Sequence, residues 1–314
     1  MPVKRGRNWI LNCVNCQSFM GKNTSPDLIS STNSIFIDAH VHIYKCFDPL
    51  IFLDSTFRNI ASLSGATGFP TDTDAVLCLT EAAGDNVWMT WYRGALEGRS
   101  PVPNYEVEVV SNSGDGSEEN TANNSLLKIN QSSSLSPGKN RVNIYLLPGR
   151  QLRAKNKLEV SALGLVDPFS DGSTIDNIIA QVLEGGAIPV LPWGVGKWFG
   201  SRGKEVDYCL RRWGRKVMVS DNSNRPTFWG MPDRLVKAGR EHIVLAGSDS
   251  LPLRSHQTTS ARYGVLMNWT VGLPVTRKNF FSQLQSESSI ISEPMGVRER
   301  FARSVSNQLA MQRL

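Results

Sequence analysis

The chain has 314 residues, 40% hydrophobic and 20% charged, with a formal net charge of +6. That balance supplies apolar material for one large α/β barrel or two smaller domains and excludes disorder along the whole length. The longest apolar stretches, such as Ala187 to Trp193, fall short of the roughly 20 residues a membrane helix needs, and no signal-peptide pattern heads the chain, so a soluble, cytoplasmic protein with no membrane partner is expected.

Residues 1–33 begin with Lys4, Arg5 and Arg7 and run through the polar stretch Gly21-Lys22-Asn23-Thr24-Ser25-Pro26. Without sustained periodicity they read as a flexible N-terminal arm. Cys13-Val14-Asn15-Cys16 has the spacing of half a zinc knuckle, but no second pair follows, and five cysteines, an odd number, read as reduced thiols.

From Ile35 onward, short apolar runs are bounded by turn residues: Ile35 to Ile37, Ala75 to Leu79, Leu158 to Leu165, Ala187 to Leu191, Lys216 to Val219 and Ile243 to Ala246. Such runs suit strands buried on both faces, as in a parallel sheet. Between two of them, Thr174 to Glu184 sets Ile175, Ile178, Ile179, Val182 and Leu183 on one helical face, and Gly185-Gly186 stops the helix. The alternation of strand and helix predicts an α/β fold, a (β/α) barrel of seven or eight mainly parallel strands over residues 34–275, with further strands near Val142 to Leu147 or Tyr263 to Val271.

Residues 111–140 are rich in Ser, Asn and Gly and are flanked by the alternating segments Tyr105 to Val110 and Val142 to Leu147. They read as the long loop of a β-hairpin inserted into the barrel. The sequon Asn123-Asn124-Ser125 carries no weight without a secretory route. Residues 276–314 read as a C-terminal helical segment. Basic residues are scattered over Arg202 to Lys216, Arg234 to Arg240 and Arg298 to Arg313, the pattern of solvated helix faces, so a nucleic-acid partner is not expected. Nothing in the pattern sets the oligomeric state.

The chemistry concentrates at Asp38, His40 and His42. A spacing of two places all three on one face of a strand. They follow the run Ile35 to Ile37, at the strand end where barrels carry their ligands. Of four histidines in the chain, two stand here, and two imidazoles so spaced can close on one ion. The plain alternative is a hydrogen-bonded histidine pair in a loop.

Asp249 ends the run Val244 to Gly247 in the same manner; otherwise it is a turn or helix-capping aspartate before Pro252. In Trp193-Gly194-Val195-Gly196-Lys197-Trp198 the glycines admit a close backbone approach and Lys197 offers a cation. Ser220-Asp221-Asn222-Ser223-Asn224-Arg225-Pro226 supplies Asp221 as a further metal ligand and Arg225 as a second cation, unless the two simply pair with each other. Glu81, Gln151 and Glu159 are further polar groups beside core strands.

Ile37-Asp38-Ala39-His40-Val41-His42 resembles the first-strand DxHxH signature of the amidohydrolase superfamily and of the related polymerase-and-histidinol-phosphatase barrels. The stretch from Ile35 to about Pro252, including PWGVGKWFGSRG and SDNSNRP, is similar to an uncharacterised branch of the amidohydrolase-like class. The resemblance implies a TIM-barrel, metal-dependent hydrolase in which His40 and His42 ligate the metal and Asp249 both ligates it and takes a proton from the attacking water. Lys197 would act electrostatically, or as a carbamylated bridging ligand as in some members. The middle-strand histidines of those enzymes have no counterpart, since His242 precedes its strand and His256 lies in a loop beyond Asp249.

The expected cofactor is a divalent ion, Zn²⁺ first, with Mn²⁺ or Fe²⁺ as alternatives. The expected function is hydrolysis of a small, anionic molecule by metal-activated water, with Asp249, Lys197 and Arg225 as catalytic groups. Two alternatives stay open: a phosphoesterase on the same kind of barrel, and a metal-binding barrel without catalysis.

Overall fold

The computed structural model describes residues 32–67, 73–112, 121–132, 142–167, 171–286, 289–298 and 311. Residues 1–31, with Cys13 and Cys16, and residues 113–120 and 133–141 of the insertion lie outside that set.

Strands β1 (Thr32–Val41), β2 (Ala75–Leu79), β3 (Tyr105–Ser111), β4 (Ser125–Gln131), β5 (Ile144–Leu147), β11 (Tyr263–Thr270) and β12 (Met295–Gly296) form one sheet, in the order β12-β11-β1-β2-β5-β4-β3. Strands β6 (Gly149–Arg153), β7 (Glu159–Leu163), β8 (Ile188–Pro192), β9 (Met218–Asn222) and β10 (Val244–Gly247) form a second, in the order β10-β9-β8-β7-β6. Ile35, Ile37, Val76, Leu147, Leu163, Val190, Met218 and Leu245 pack together from both sheets into a core between them.

Helices cover the outer faces. Phe52, Leu53 and Ile60 of α1 (Pro49–Thr67) and Trp88, Trp91 and Tyr92 of α2 (Val87–Leu96) pack on Phe36, Leu77, Leu127 and Leu146 of the first sheet. On the second sheet, α3 (Ile175–Glu184) buries Ile175, Ile178, Ile179 and Val182, the stripe its spacing predicts, and the Thr174 hydroxyl caps its start by accepting from the Asn177 N–H. Val206, Cys209 and Leu210 of α4 (Gly200–Trp213) and Leu235 of α5 (Asp233–Ala238) complete that layer, while Phe280 of α6 (Arg277–Leu284) enters the core between the sheets.

The expectation of a closed (β/α) barrel of mainly parallel strands is overturned: the fold is α/β with two open, mixed sheets. Pairs β1–β2, β2–β5, β8–β9 and β9–β10 are parallel, but β1–β11, β11–β12, β3–β4, β4–β5, β6–β7 and β7–β8 are antiparallel. The physical reason is that an apolar run reports burial of both faces, not the direction of its neighbours. The run Leu158 to Leu165 is such a case: β7 is antiparallel to both β6 and β8, the first pair joined by a tight turn where Lys157 takes φ +67°. The expected hairpin also changes. Between Tyr105 and Leu147 stands β4, whose Leu126, Leu127 and Ile129 are buried although the composition around them is that of a loop.

The two sheets meet at their ends along two seams. On one side, the Asp249 N–H donates to the His40 carbonyl at 2.8 Å. On the other, the Glu81 N–H donates to the Gly149 carbonyl at 3.0 Å and the Gln151 N–H to the Glu81 carbonyl at 2.9 Å.

Candidate metal centre

The first seam builds the site. Up to Ala39 the odd residues Ile35, Ile37 and Ala39 belong to the core between the sheets; beyond it the odd residues Val41 and Ile43 belong to the outer core. The parity changes because the pairing of β1 with β2 shifts register between Asp38 and Val41. That irregularity separates Asp38 from the two histidines, which strict alternation would have placed on its face.

Asp38 works as a staple. Its fully buried carboxylate accepts the N–H of Ser248 at 2.8 Å on one oxygen and of Ala261 at 2.8 Å on the other, with the His40 N–H at 3.3 Å. Burial pushes its pKa up to about 7, against the pull of those donors. Gly247 completes the seam: a Cβ there would lie 2.4 Å from the His40 nitrogen and 2.5 Å from its Cβ, so only glycine lets β10 come this close.

At the end of β10, Asp249 adopts φ +47°, a left-handed conformation that aspartate tolerates better than most residues. The turn delivers its carboxylate to the two imidazoles. His40 Nε2 and His42 Nε2 are 3.1 Å apart, and Asp249 Oδ1 lies 3.4 Å from the first and 3.8 Å from the second. Ligand atoms about 2.0–2.1 Å from a tetrahedral ion lie about 3.3 Å from one another, so the triangle has the dimensions of three ligands on one ion. Among the described residues, this is the one group of three or more His, Cys, Asp or Glu side chains with ligand atoms all within 4.8 Å of each other.

The protonation states agree with that use. Burial, reinforced by His40 and Lys197, drives His42 down to about 3, so its ring is neutral and keeps a lone pair. Burial alone would raise Asp249, but His40, Lys197, His42 and a hydrogen bond from Asn224 together hold it below the ordinary carboxylate range. The neutral His42 ring, the His40 imidazole and the Asp249 carboxylate are ligand types that metal ions take.

The remaining sequence candidates fall in different places. Lys197 follows β8 and pairs with Glu159 of β7, its stem lying across Gly194, where a Cβ would meet Lys197 Cδ at 2.8 Å. Its charge reaches both His42 and Asp249. Asp221 does not join the metal-sized group: its fully buried carboxylate takes Arg225 Nη2 at 2.6 Å, Arg225 Nε at 2.9 Å and the Tyr263 hydroxyl at 2.7 Å. Arg225 also donates to the Trp229 carbonyl, so its guanidinium holds the loop after β9 to the start of β11.

Glu81 is likewise engaged, accepting the Val87 and Trp88 N–H groups at the start of α2 at 2.6 and 2.9 Å and facing Arg150 at 3.4 Å. His242 Nδ1 contacts the Val217 carbonyl at 3.0 Å, before β9 begins.

Two neighbours of the site carried no legible signal. Asn224 donates to the Asp249 main-chain carbonyl at 2.7 Å, and Tyr44 stacks on His42 with ring centroids 5.1 Å apart. An asparagine in a polar loop and an aromatic after a strand are too common to single out.

No family model and no curated protein matches the chain. Solved structures show a distant likeness. The crystal structure of PsfC from Pseudomonas syringae superposes with a TM-score of 0.44 at 14% identity, over 89% of this chain and 98% of that one. Endonuclease Q, in complex with a 27-mer duplex bearing an abasic lesion at its active site, gives 0.45 at 11% identity over 88% and 67% of the two chains. The lesion-specific endonuclease Q of Pyrococcus furiosus gives 0.42 at 12% identity over 88% and 66%. Likeness at this level carries no activity across to this chain. Among the described residues, no helix is long and apolar enough to cross a membrane.

Proposed function

We propose that His40, His42 and Asp249 bind one divalent metal ion, Zn²⁺ by preference, and that the chain hydrolyses a phosphoester of a small molecule there. The observation that carries this reading is the triangle of Nε2, Nε2 and Oδ1 atoms, at 3.1, 3.4 and 3.8 Å. A divalent ion so held supplies a bound water that ionises near neutrality and a positive centre for the developing charge.

The residues do the rest. His40 and His42, both buried, present their Nε2 atoms 3.1 Å apart as the two nitrogen ligands. The Asp249 carboxylate, about one-fifth exposed, keeps Oδ1 on the ligand triangle and would accept the water's proton. Lys197, tied to Glu159, brings a positive charge whose field acts on His42 and Asp249.

Charge favours the phosphoester over a neutral amide. A divalent ion with one carboxylate and two neutral imidazoles leaves a surplus of one positive charge, which an anion meets and an amide does not. Phosphoryl transfer also asks mainly for positioning and electrostatics, which this small set can supply. Metal-free protein reconstituted with Zn²⁺ or Mn²⁺ and assayed on phosphate, ester and amide substrates tests the reading. Metal-dependent phosphate release that disappears in His40→Ala plus His42→Ala is expected; turnover of amides alone, or phosphate release that survives the double substitution, overturns it.

A further inference from the structure

The two candidate ligands share an unusual feature. Their Nδ1 atoms are buried, and neither has a hydrogen-bond partner among the described residues. A histidine that binds metal through Nε2 carries its proton on Nδ1 and ordinarily gives it to a carboxylate or carbonyl, which fixes the plane of the ring. Here that device is missing, so something else must set the planes.

For His40 the answer is the backbone. Gly247 lies so near that the His40 main chain and Cβ fill the space a side chain there would need, and the Asp249 N–H grips the His40 carbonyl. His42 has no such clamp. The Thr80 backbone is close enough to favour its charged form, yet it does not meet Nδ1 at hydrogen-bond geometry. What lies flat against the ring is Tyr44, with centroids 5.1 Å apart and planes 20° from parallel. Tyr44 is itself braced by the edge of Phe47, at 5.4 Å and 85°, and Phe47 is buried in the outer core. His40 meets His42 edge-on, at 5.0 Å and 60°, with the two Nε2 atoms 3.1 Å apart. The imidazole is therefore anchored, through its stack on Tyr44 and the Phe47 edge behind that ring, to the core beneath α1.

We infer that Tyr44 is a positioning residue, its ring replacing the missing hydrogen bond in fixing the plane of His42 and so aiming Nε2 at the metal. The inference rests on the proposed metal site for its consequence but not for the stacking itself. It makes the aromatic ring, and not the hydroxyl, the working part. Tyr44→Phe keeps the ring and Tyr44→Ala removes it.

Two measurements test this. In metal-free protein, the ring protons of His42 carry a ring-current shift from Tyr44 in NMR spectra; it persists in Tyr44→Phe and vanishes in Tyr44→Ala. In competition titrations with Zn²⁺ and in Co²⁺ absorption spectra, Tyr44→Phe matches the wild type, whereas Tyr44→Ala binds about tenfold more weakly or worse, the usual effect of losing a ligand's support. A merely structural role would lower the melting temperature of Tyr44→Ala without altering the Co²⁺ spectrum.

Three results overturn the inference: unaltered Zn²⁺ affinity and Co²⁺ spectrum in Tyr44→Ala, which would make a Thr80 carbonyl contact sufficient; equal loss in Tyr44→Phe and Tyr44→Ala, which would make the hydroxyl the working group; or no ring-current shift in the wild type. A wild type that binds no metal yet shows the shift defeats the proposed function and leaves the stacking established.

Discussion

Gly247→Ala probes the seam on which the site is built. The added Cβ would lie 2.4 Å from the His40 nitrogen, 2.5 Å from its Cβ and 2.9 Å from its Cα. Ordinary carbon contacts sit at about 3.5–4.0 Å, so β1 and β10 must part by about 1 Å. The atoms in the way are backbone or Cβ, and no rotamer change relieves them. A parting of that size breaks two bonds now at 2.8 Å, Asp249 N–H to the His40 carbonyl and Ser248 N–H to the Asp38 carboxylate.

At about 0.5–1.5 kcal/mol for the first and about 1.5–3 for the charged second, the substitution costs about 2–4.5 kcal/mol. Urea unfolding measures this directly, and the melting temperature should fall by roughly 5–10 °C. Because Asp249 moves with the strand, Zn²⁺ affinity should fall as well. A Gly247→Ala protein within about 0.5 kcal/mol of the wild type, with unchanged Zn²⁺ affinity, would refute the account of the seam.

Other substitutions separate scaffold from site. Arg225→Ala leaves the buried Asp221 carboxylate with the Tyr263 hydroxyl as its side-chain partner among the described residues, and should destabilise by about 3–5 kcal/mol in denaturant titrations; a loss of turnover with stability intact would place Arg225 in the reaction instead. Lys197→Ala should reduce phosphoester turnover by about a hundredfold while costing no more than about 1 kcal/mol, because its pair with Glu159 is partly exposed; unchanged kcat would remove Lys197 from the mechanism.

Glu81 supplies a pH test at a group outside the ligand triangle. Burial raises its pKa above 4.5 despite the Trp88 and Val87 N–H groups and Arg150. The folded state therefore holds that proton more tightly than the unfolded state, and stability is lost as pH rises from about 4.5. Relative to Glu81→Gln, the wild type should lose ground between pH 4.5 and neutrality; a gain over that range would show that the Arg150 pairing dominates.

The local elements were legible where the residues themselves impose them. The α3 stripe of Ile175, Ile178, Ile179 and Val182 with Thr174 before it is a pattern that only a helix satisfies, and the apolar runs at Ile35, Ala75, Ile188 and Val244 all fall in strands. What stayed hidden depends on partners distant in the chain. Strand direction is one case: Leu158 to Leu165 looks the same whether its neighbours run parallel or antiparallel. Strand β4 is another, because Leu126, Leu127 and Ile129 were masked by the Ser and Asn residues around them.

At the site, the spacing of His40 and His42 and the Gly247-Ser248-Asp249 ending pointed to residues the structure brings within 4.8 Å of one another. The register shift that separates Asp38 from the histidines was invisible, since a bulge leaves no mark in the spacing of side chains. Asp221 and Arg225 illustrate the opposite difficulty. Four residues apart, one near the end of β9 and one in the loop after it, they suit a site and an ion pair equally well, and Tyr263, 38 residues beyond Arg225, is what draws them into a buried network.

The most direct measurement is the metal content of purified protein, joined to X-ray absorption at the metal edge. The account predicts about one Zn²⁺ per chain with two nitrogen ligands and one carboxylate oxygen at about 2.0–2.2 Å, and its loss in His40→Ala plus His42→Ala. Protein without stoichiometric metal after incubation with Zn²⁺, Mn²⁺ or Fe²⁺, or metal that the double substitution leaves in place, would contradict it.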